Sequence, residues 1–218
     1  MRARLALIVI SIPAVTLPTV SATAQVPSRQ PHVYAGVGIT ASSFDDRSGS
    51  GPELEVGVNV LEWAGYRVGF AAVYAREDAE FNPFAACRHY DDFCWGSASR
   101  SERLSLGGTL MLTVRDGERF DLYLEPVGVA VSYRRLTRWE TQGPPTFCFA
   151  NGEIVDCPHV PIETFEDARS AVGGEIRTGV GVATWMGPLH LALRGRLGYL
   201  VDWLEGSGMA SLAVVVGW

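Results

Sequence analysis

The chain has 218 residues, of which 47% are hydrophobic and 19% are charged, and its formal net charge is −6. A single β domain of this length is common, because sandwiches and barrels reach such sizes undivided. An acidic balance without basic clusters argues against DNA or RNA as a partner, since nucleic-acid affinity depends on neutralising phosphates.

The first 24 residues have the features of a Sec-type export signal. Arg2 and Arg4 precede a short apolar run at 5–10, and residues 22–24 read Ala-Thr-Ala, which fits an A-x-A cleavage site. The apolar run is too short for a good transmembrane helix. We therefore expect residues 1–24 to be cleaved and residues 25–218 to form one exported domain.

Most of the remaining chain alternates apolar residues with small or polar ones. A period of two indicates β-strands, because successive side chains of a strand point to opposite faces. The pattern predicts about eight strands and no helix of any length. The alternating segments are 33–44, 52–61, 66–75, 102–115, 120–133, 170–184, 189–201 and 209–218.

The fifth segment changes its phase at a proline. Leu122 and Leu124 lie on the apolar face before Pro126, whereas Val127 and Val129 lie on it afterwards. One extra residue in the strand produces such a slip, and proline is tolerated where the ladder is interrupted. The sequence therefore predicts a β-bulge at Pro126.

The connections between segments alternate in character. Those at 62–65, 116–119 and 185–188 are tight, whereas 45–51, 76–100, 136–169 and 202–208 are polar and include two long loops. Transmembrane barrels have this asymmetry, with short periplasmic turns and longer extracellular loops. The long loops at 76–100 and 136–169, which carry several aromatic residues, are the expected interaction surface, although those aromatics could instead pack each loop against itself.

The face opposite the apolar one is composed mainly of Gly, Ala, Ser and Thr with isolated charges. Such residues suit a narrow lumen filled by side chains, whereas a soluble, lipocalin-like barrel would bury the apolar face. Charges in a lumen must pair, because a lone buried ion is costly. We expect a plugged, salt-bridged interior. The candidate lumen ion network is Glu53, Glu55, Arg67, Arg103, Glu125, Glu175, Arg177, Arg194 and Arg196, with Asp121 as a further lumen charge.

Aromatic residues occur near the ends of the predicted strands rather than at their centres. Two aromatic girdles around an apolar band are expected where a barrel meets both membrane interfaces. The expected periplasmic girdle is Trp63, Tyr66, Phe120, Trp185 and Trp218, and the expected extracellular girdle is Phe44, Tyr74, Tyr133, Tyr199 and Trp203.

The last segment alternates Leu212, Val214, Val216 and Trp218 with small residues and ends on the tryptophan. With this signature, the chain from Val33 onward resembles the small outer-membrane β-barrels, the class that includes OmpX and the membrane domain of OmpA. The resemblance implies an all-β, eight-stranded antiparallel up-and-down transmembrane barrel in the outer membrane of a Gram-negative cell. It also implies a monomer that contacts lipid and lipopolysaccharide and is inserted by the barrel-assembly machinery, which recognises the terminal strand.

No nucleophile, metal-binding or phosphate-binding motif occurs in the sequence. We therefore predict no catalytic residue, cofactor or metal, and a structural or surface-interaction role. Two alternatives stay open, a membrane-embedded lipid-modifying enzyme and a soluble exported barrel that binds a small hydrophobic ligand. The enzyme would need a His or Ser at the lipid face near the extracellular rim. His190 lies at the opposite end of its strand, and His89 and His159 lie in the long loops.

The four cysteines are expected to form disulfides, because the chain is exported. Three pairings are possible. Cys87–Cys94 with Cys148–Cys157 is favoured, since each pair closes a small ring within one loop. Each disulfide would stabilise its loop by ~2–3 kcal/mol in the chain-entropy model. A zinc site that adds His89 and His159 is the less favoured alternative, because no tight four-ligand spacing occurs.

Overall fold

The computed structural model describes residues 32–44, 47–63, 66–80, 94–115, 120–143, 148–150, 153–155, 163–204 and 206–218. No helix in these ranges is long and apolar enough to cross a membrane. The strands are β1 (Val33–Phe44), β2 (Arg47–Trp63), β3 (Tyr66–Glu80), β4 (Cys94–Arg115), β5 (Asp121–Gly143), β6 (Cys148–Ala150), β7 (Glu153–Val155), β8 (Glu163–Met186), β9 (Leu189–Val201) and β10 (Gly206–Gly217).

Eight of these strands close into one antiparallel barrel in the order β1-β10-β9-β8-β5-β4-β3-β2. The first and last strands pair along their length, from Tyr34 opposite Gly217 to Ser42 opposite Met209. Trp218 continues this ladder, since its backbone N–H donates to the carbonyl of Val33 at 3.1 Å. The strands β6 and β7 form a separate two-stranded sheet. The predicted eight-stranded up-and-down barrel is therefore confirmed.

The two faces of the barrel are divided as in a transmembrane barrel. Large aliphatic side chains point outward, as shown by exposed fractions of 67% for Ile39, 63% for Val131 and 63% for Leu197. The intervening polar side chains fill the lumen, where Ser105 and Glu125 are fully buried. A soluble barrel would have the opposite arrangement, because its apolar face must leave water.

The predicted bulge is present in β5. The pairing of β5 with β8 passes from Glu125 directly to Gly128, and both of these residues are buried in the lumen. Pro126 and Val127 lie between them on the exposed face. The pairing of β5 with β4 shifts at the same proline, between Leu110 and Leu112. Two other register shifts, at Asn59/Leu61 in β2 and at Thr113/Arg115 in β4, had no signal in the sequence.

The four strands that border the two long loops run farther than the sequence pattern predicts, and so does β2 at its start. β3 continues to Glu80, β4 begins at Cys94, β5 continues to Gly143 and β8 begins at Glu163. The predicted loops 76–100 and 136–169 therefore start and end as paired strands, and most of the predicted loop 45–51 belongs to β2. Beyond the apolar band both faces of a strand are polar, so the sequence of these paired residues has no alternation of apolar and polar residues from which a strand could be predicted.

The remaining parts of the two long loops lie largely outside the described residues. This applies to Cys87 and Cys157, and the side chains of Cys94 and Cys148 are also outside the description. The two disulfides and the signal peptide accordingly stay predictions.

The apolar band ends sharply on the side of the long strands. A row of paired outward residues across β3, β4, β5 and β8 reads Tyr74, Leu104, Tyr133 and Val172. The next row toward the strand tips reads Arg76, Glu102, Arg135 and Ser170. The change from apolar to charged side chains within one row marks where the hydrocarbon region would end. The parts of these four strands that lie beyond the boundary form a sheet, which we call the extension.

The aromatic girdles are confirmed only in part. Trp218 and Phe120 at one end, and Trp203 at the other, are well exposed. Phe44, in contrast, is buried inside the lumen with 1% of its surface exposed, because it follows Thr40 and Ser42 on the inner phase of β1. Trp185 is half-buried against the ring of His190, at 5.0 Å between centroids, and the side chain of Trp63 is not described.

We predict that Val129→Arg, in the middle of the apolar band, lowers the free energy of unfolding by about 2–4 kcal/mol, because a charge there faces hydrocarbon. Ala168→Arg is the matched control, since Ala168 is exposed on the same face but lies in the extension. It should change stability by less than about 0.5 kcal/mol. The measurement is urea unfolding of the protein refolded in lipid vesicles. Equal losses for the two variants would contradict the proposed orientation.

Candidate functional site

The lumen is the candidate site, and the structure places every predicted charge of its network there. Each of these side chains occupies an inward-facing position of its strand, and none is more than 7% exposed. The residues are Glu53 and Glu55 on β2, Arg67 on β3, Arg103 on β4, Asp121 and Glu125 on β5, Glu175 and Arg177 on β8, and Arg194 and Arg196 on β9.

Glu55 is the centre of the network. Arg196 contacts both of its carboxylate oxygens, Nη1 with Oε2 and Nη2 with Oε1, each at 2.9 Å, and Arg194 Nη1 contacts Oε1 at 2.9 Å. Two-pronged contacts of this kind are the strongest form of an arginine–carboxylate pair. Because Arg194 and Arg196 are two residues apart on one strand face, they can share a single acid. These contacts join β2 to β9 across the lumen.

Arg196 also connects the centre to β5. Its Nε lies 2.9 Å from Oε2 of Glu125, so one guanidinium joins carboxylates from two strands. β9 is separated from β5 by β8 and from β2 by β1 and β10. The side chains Glu55, Arg196 and Glu125 therefore form a bar across the barrel interior.

A second group surrounds Glu175. Its Oε2 lies 2.8 Å from Nη1 of Arg103 and accepts hydrogen bonds of 2.7 Å from the hydroxyls of Ser105 and Ser132. Its other oxygen lies 2.7 Å from Nε of Arg177. Two arginines and two hydroxyls thus surround this carboxylate and offset the cost of burying its charge, although Oε1 is held by the ion pair and not by a hydrogen bond.

Glu53 is held less tightly than the other acids. Its carboxylate lies 4.0 Å from Nη2 of Arg103, which is too long for a hydrogen bond. A cavity of about 10 Å³ adjoins Glu53, Arg103, Arg196 and Thr40. That volume matches a single water molecule.

Tyrosines that the sequence reasoning did not select line the half of the lumen nearer the tight turns. The guanidinium of Arg194 lies 5.1 Å from the ring of Tyr34 and 5.7 Å from that of Tyr123, and its Nε donates to the Tyr123 hydroxyl at 3.2 Å. The guanidinium of Arg67 lies 6.0 Å from the centroid of the same Tyr123 ring. The sequence did contain a signal for Tyr34 and Tyr123, since each is a large aromatic residue on a strand face whose other residues are mostly small. Met111, Ala183, Ala192, Ala213 and Val215 complete this layer.

The half of the lumen nearer the long loops contains charges that the sequence reasoning also missed. Arg134 on β5 makes a two-pronged pair with Asp202, at 2.9 Å for both contacts, and donates to Ser207 at 2.7 Å. Glu77 on β3 accepts hydrogen bonds from Thr40 at 3.0 Å and Ser42 at 2.5 Å. Glu77 and Asp202 were missed because both fall in segments predicted to be loops, and Arg134 because it directly follows the predicted end of its strand at residue 133.

The other predicted positions lie apart from the lumen. The signature residues Leu212, Val214 and Trp218 point outward, with Val216 half-buried on the same face. His190 lies inside the lumen, 5% exposed. In the described ranges, no three His, Cys, Asp or Glu residues come together as a metal site would require.

Neither a protein-family model nor a curated protein sequence matches the chain. Among solved structures, Ail, the attachment invasion locus protein of Yersinia pestis, is 11% identical with a TM-score of 0.43, covering 86% of this chain and 97% of that one. Neisserial surface protein A is 16% identical with a TM-score of 0.41, covering 85% and 96%. The N-terminal β-barrel domain of Pseudomonas aeruginosa OprF is 8% identical with a TM-score of 0.33, covering 87% and 100%. All three are small outer-membrane barrels, the class that the terminal signature resembles.

We predict that Glu55→Gln lowers the free energy of unfolding by about 3–5 kcal/mol, because it leaves two buried arginines without their shared carboxylate. Glu140→Gln is the matched control, since Glu140 pairs with Arg138 at 3.0 Å where both side chains are about two-fifths exposed. It should cost no more than about 1 kcal/mol. Urea unfolding followed by the heat-dependent shift in gel mobility measures both. A small effect of Glu55→Gln would show that the central pair contributes little to stability.

Proposed function

We propose that this protein is an integral outer-membrane β-barrel with a closed lumen and a structural or surface-interaction role, without catalysis. The observation that carries the proposal is the combination of an apolar outer face with a charge network that crosses the interior. An outward apolar face requires lipid, and an interior filled by paired side chains leaves no route for solutes.

The dimensions of the strands support insertion in a bilayer. β9 has 13 residues, whose outward members are apolar from Leu189 to Val201. At 3.3 Å per residue and a tilt of about 40°, such a strand spans about 30 Å, close to the hydrocarbon thickness of a membrane. Exposed Trp203 lies just beyond one end of β9, where an interfacial aromatic residue would anchor the barrel.

Three layers of side chains support a closed lumen. Phe44 and Leu200, each 1% exposed, cover the extracellular end. The ion pairs of Glu55 and Glu175 cross the middle, and the tyrosines with Met111 fill the periplasmic end. A charged middle layer, with buried side chains packed on both sides of it, opposes the passage of water as well as ions.

The position of His190 supports a role without catalysis on lipids. Its ring is buried in the lumen against Trp185, and its Nε2 has no hydrogen-bond partner among the described residues. A lipid at the outer face cannot reach this imidazole. Of the three histidines considered for an enzyme, His89 and His159 lie outside the described residues.

The extension supports a surface-interaction role. It carries a polar outward face, on which Arg100 pairs with Asp78 at 2.6 Å and lies 5.1 Å from the ring of Trp139. Pairing of β8 with β9 begins only at Gly174, so in the described ranges residues 163–173 pair with β5 alone. Such an edge offers backbone donors and acceptors to an extended partner.

The same proposal includes the expected assembly route and partners. Recognition by the barrel-assembly machinery would use the terminal strand with Leu212, Val214, Val216 and Trp218. Contact with lipopolysaccharide and a monomeric state are the other expectations.

We predict that the full-length protein fractionates with the outer membrane and changes its gel mobility on boiling, because a closed barrel resists detergent until it is heated. Membrane fractionation of expressing cells, followed by electrophoresis with and without boiling, makes the measurement. Release with the periplasmic contents would instead favour a soluble exported barrel.

A second expected outcome concerns the lumen itself. In planar lipid bilayers the wild-type protein should give no steady ion conductance, since the ion network and both end layers block the interior. Insertion is checked separately by protease protection of the reconstituted protein. Steady conductance of the wild type would overturn the closed-lumen part of the proposal and leave the membrane location intact.

A further inference from the structure

The bulge in β5 occurs beside the acid that closes the central bar. Pairing with β8 passes from Glu125 to Gly128, so Pro126 and Val127 together face the single residue Thr178. Proline has no N–H for the ladder, which makes it compatible with this interruption. Both Glu125 and Gly128 face the lumen as a result.

Thr178 forms a hydrogen bond to the backbone of the bulge from the outer face of the barrel. It is exposed on the apolar side of β8, and its hydroxyl donates to the carbonyl of Glu125 at 3.0 Å. In a lipid environment an interrupted ladder must recover its hydrogen bonds within the protein. The threonine therefore adds a hydrogen bond to the main chain of Glu125, the residue at which the pairing of β5 with β8 breaks off.

Gly128 leaves room for the side chain of Glu125. A Cβ atom at position 128 would stand 2.8 Å from Oε1 of Glu125, closer than real Cβ contacts. The other neighbours of that Cβ, Thr109 Cγ2 at 3.4 Å and Arg177 Cβ at 3.6 Å, are at acceptable distances. The carboxylate is the group that would have to move. It is fully buried and its other oxygen contacts Nε of Arg196, so movement would strain that contact.

We propose that Gly128 and Thr178 are positioning residues that hold the Glu125 carboxylate against Arg196 and so complete the bar across the lumen. The bulge then has a specific purpose: it supplies an inward carboxylate and, next to it on the same face, the free space that the carboxylate needs. This inference rests on the proposed closed lumen and names the residues that maintain its centre.

The test is a double-mutant cycle between positions 128 and 125. Gly128→Ala should lower the thermal unfolding midpoint by about 4 °C or more in the wild-type background. In the Glu125→Ala background the same change should have little effect, because the group it displaces is gone. Gly195→Ala is the matched control, since a Cβ there meets nothing within 4 Å. A loss from Gly128→Ala that is equal in both backgrounds would overturn the inference, because it would indicate a purely backbone requirement.

A second measurement keeps the inference testable if the Glu125→Ala background does not fold. The ¹⁵N chemical shift of Arg196 Nε, measured in detergent micelles, reports its contact with Glu125. It should change in Gly128→Ala and stay unchanged in Gly195→Ala. An unchanged Arg196 signal in Gly128→Ala would overturn the role of that glycine.

Thr178→Val tests the outer contact independently. Valine is isosteric with threonine and suits the lipid-facing position better, so its own packing should stabilise the barrel. We expect the unfolding midpoint to fall nevertheless and the Arg196 signal to shift. A midpoint at or above that of the wild type would overturn the role of Thr178. Steady wild-type conductance, in contrast, would remove the closed lumen while leaving the coupling between Gly128 and Glu125 intact.

Discussion

The structure depends on one contact above the others, the two-pronged pair between Glu55 and Arg196. Closing eight strands into a barrel directs every second side chain into a narrow interior that water hardly enters. Charges there are tolerable only if each meets an opposite charge with good geometry. Arg196 meets this condition by contacting Glu55 on β2 and Glu125 on β5 together. The pairing links strands that are not neighbours in the sheet, which adds cross-links that backbone ladders cannot provide.

Inner and outer faces of the same strands meet opposite requirements. The outer face contributes little packing within the protein, since Ile39, Leu197 and their neighbours are left to lipid. The usual hydrophobic core is correspondingly small and limited to the half of the lumen nearer the tight turns, around Tyr34, Met111 and Tyr123. Specific internal stability must therefore come from the ladder hydrogen bonds and the ion network. In the extension, by contrast, neither lipid nor the lumen constrains the outward side chains.

Sequence reasoning recovered the barrel, the inward phase of the charges and the bulge at Pro126, because each leaves a local periodic signal. It placed Phe44 in the girdle although Thr40 and Ser42 on the same phase already pointed inward. It also ended β3 and β5 too early, because polar strands beyond the membrane lack an apolar period. Glu77, Arg134 and Asp202 were missed for the same reason, since each belongs to or adjoins a stretch where the alternation fades.

The sequence by itself determined the inward phase within the apolar segments and the need to pair the charges on it, since strand period and the cost of burying charge are local and general facts. Only the tertiary structure decided which arginine pairs with which carboxylate. Glu55 and Arg196 are 141 positions apart in the chain, and their meeting depends on the strand order and register around the whole barrel. Register is set by closure between β1 and β10 and by shifts such as that at Pro126. A slip of one strand by a single residue would turn the inner side chains of that strand to the outer face.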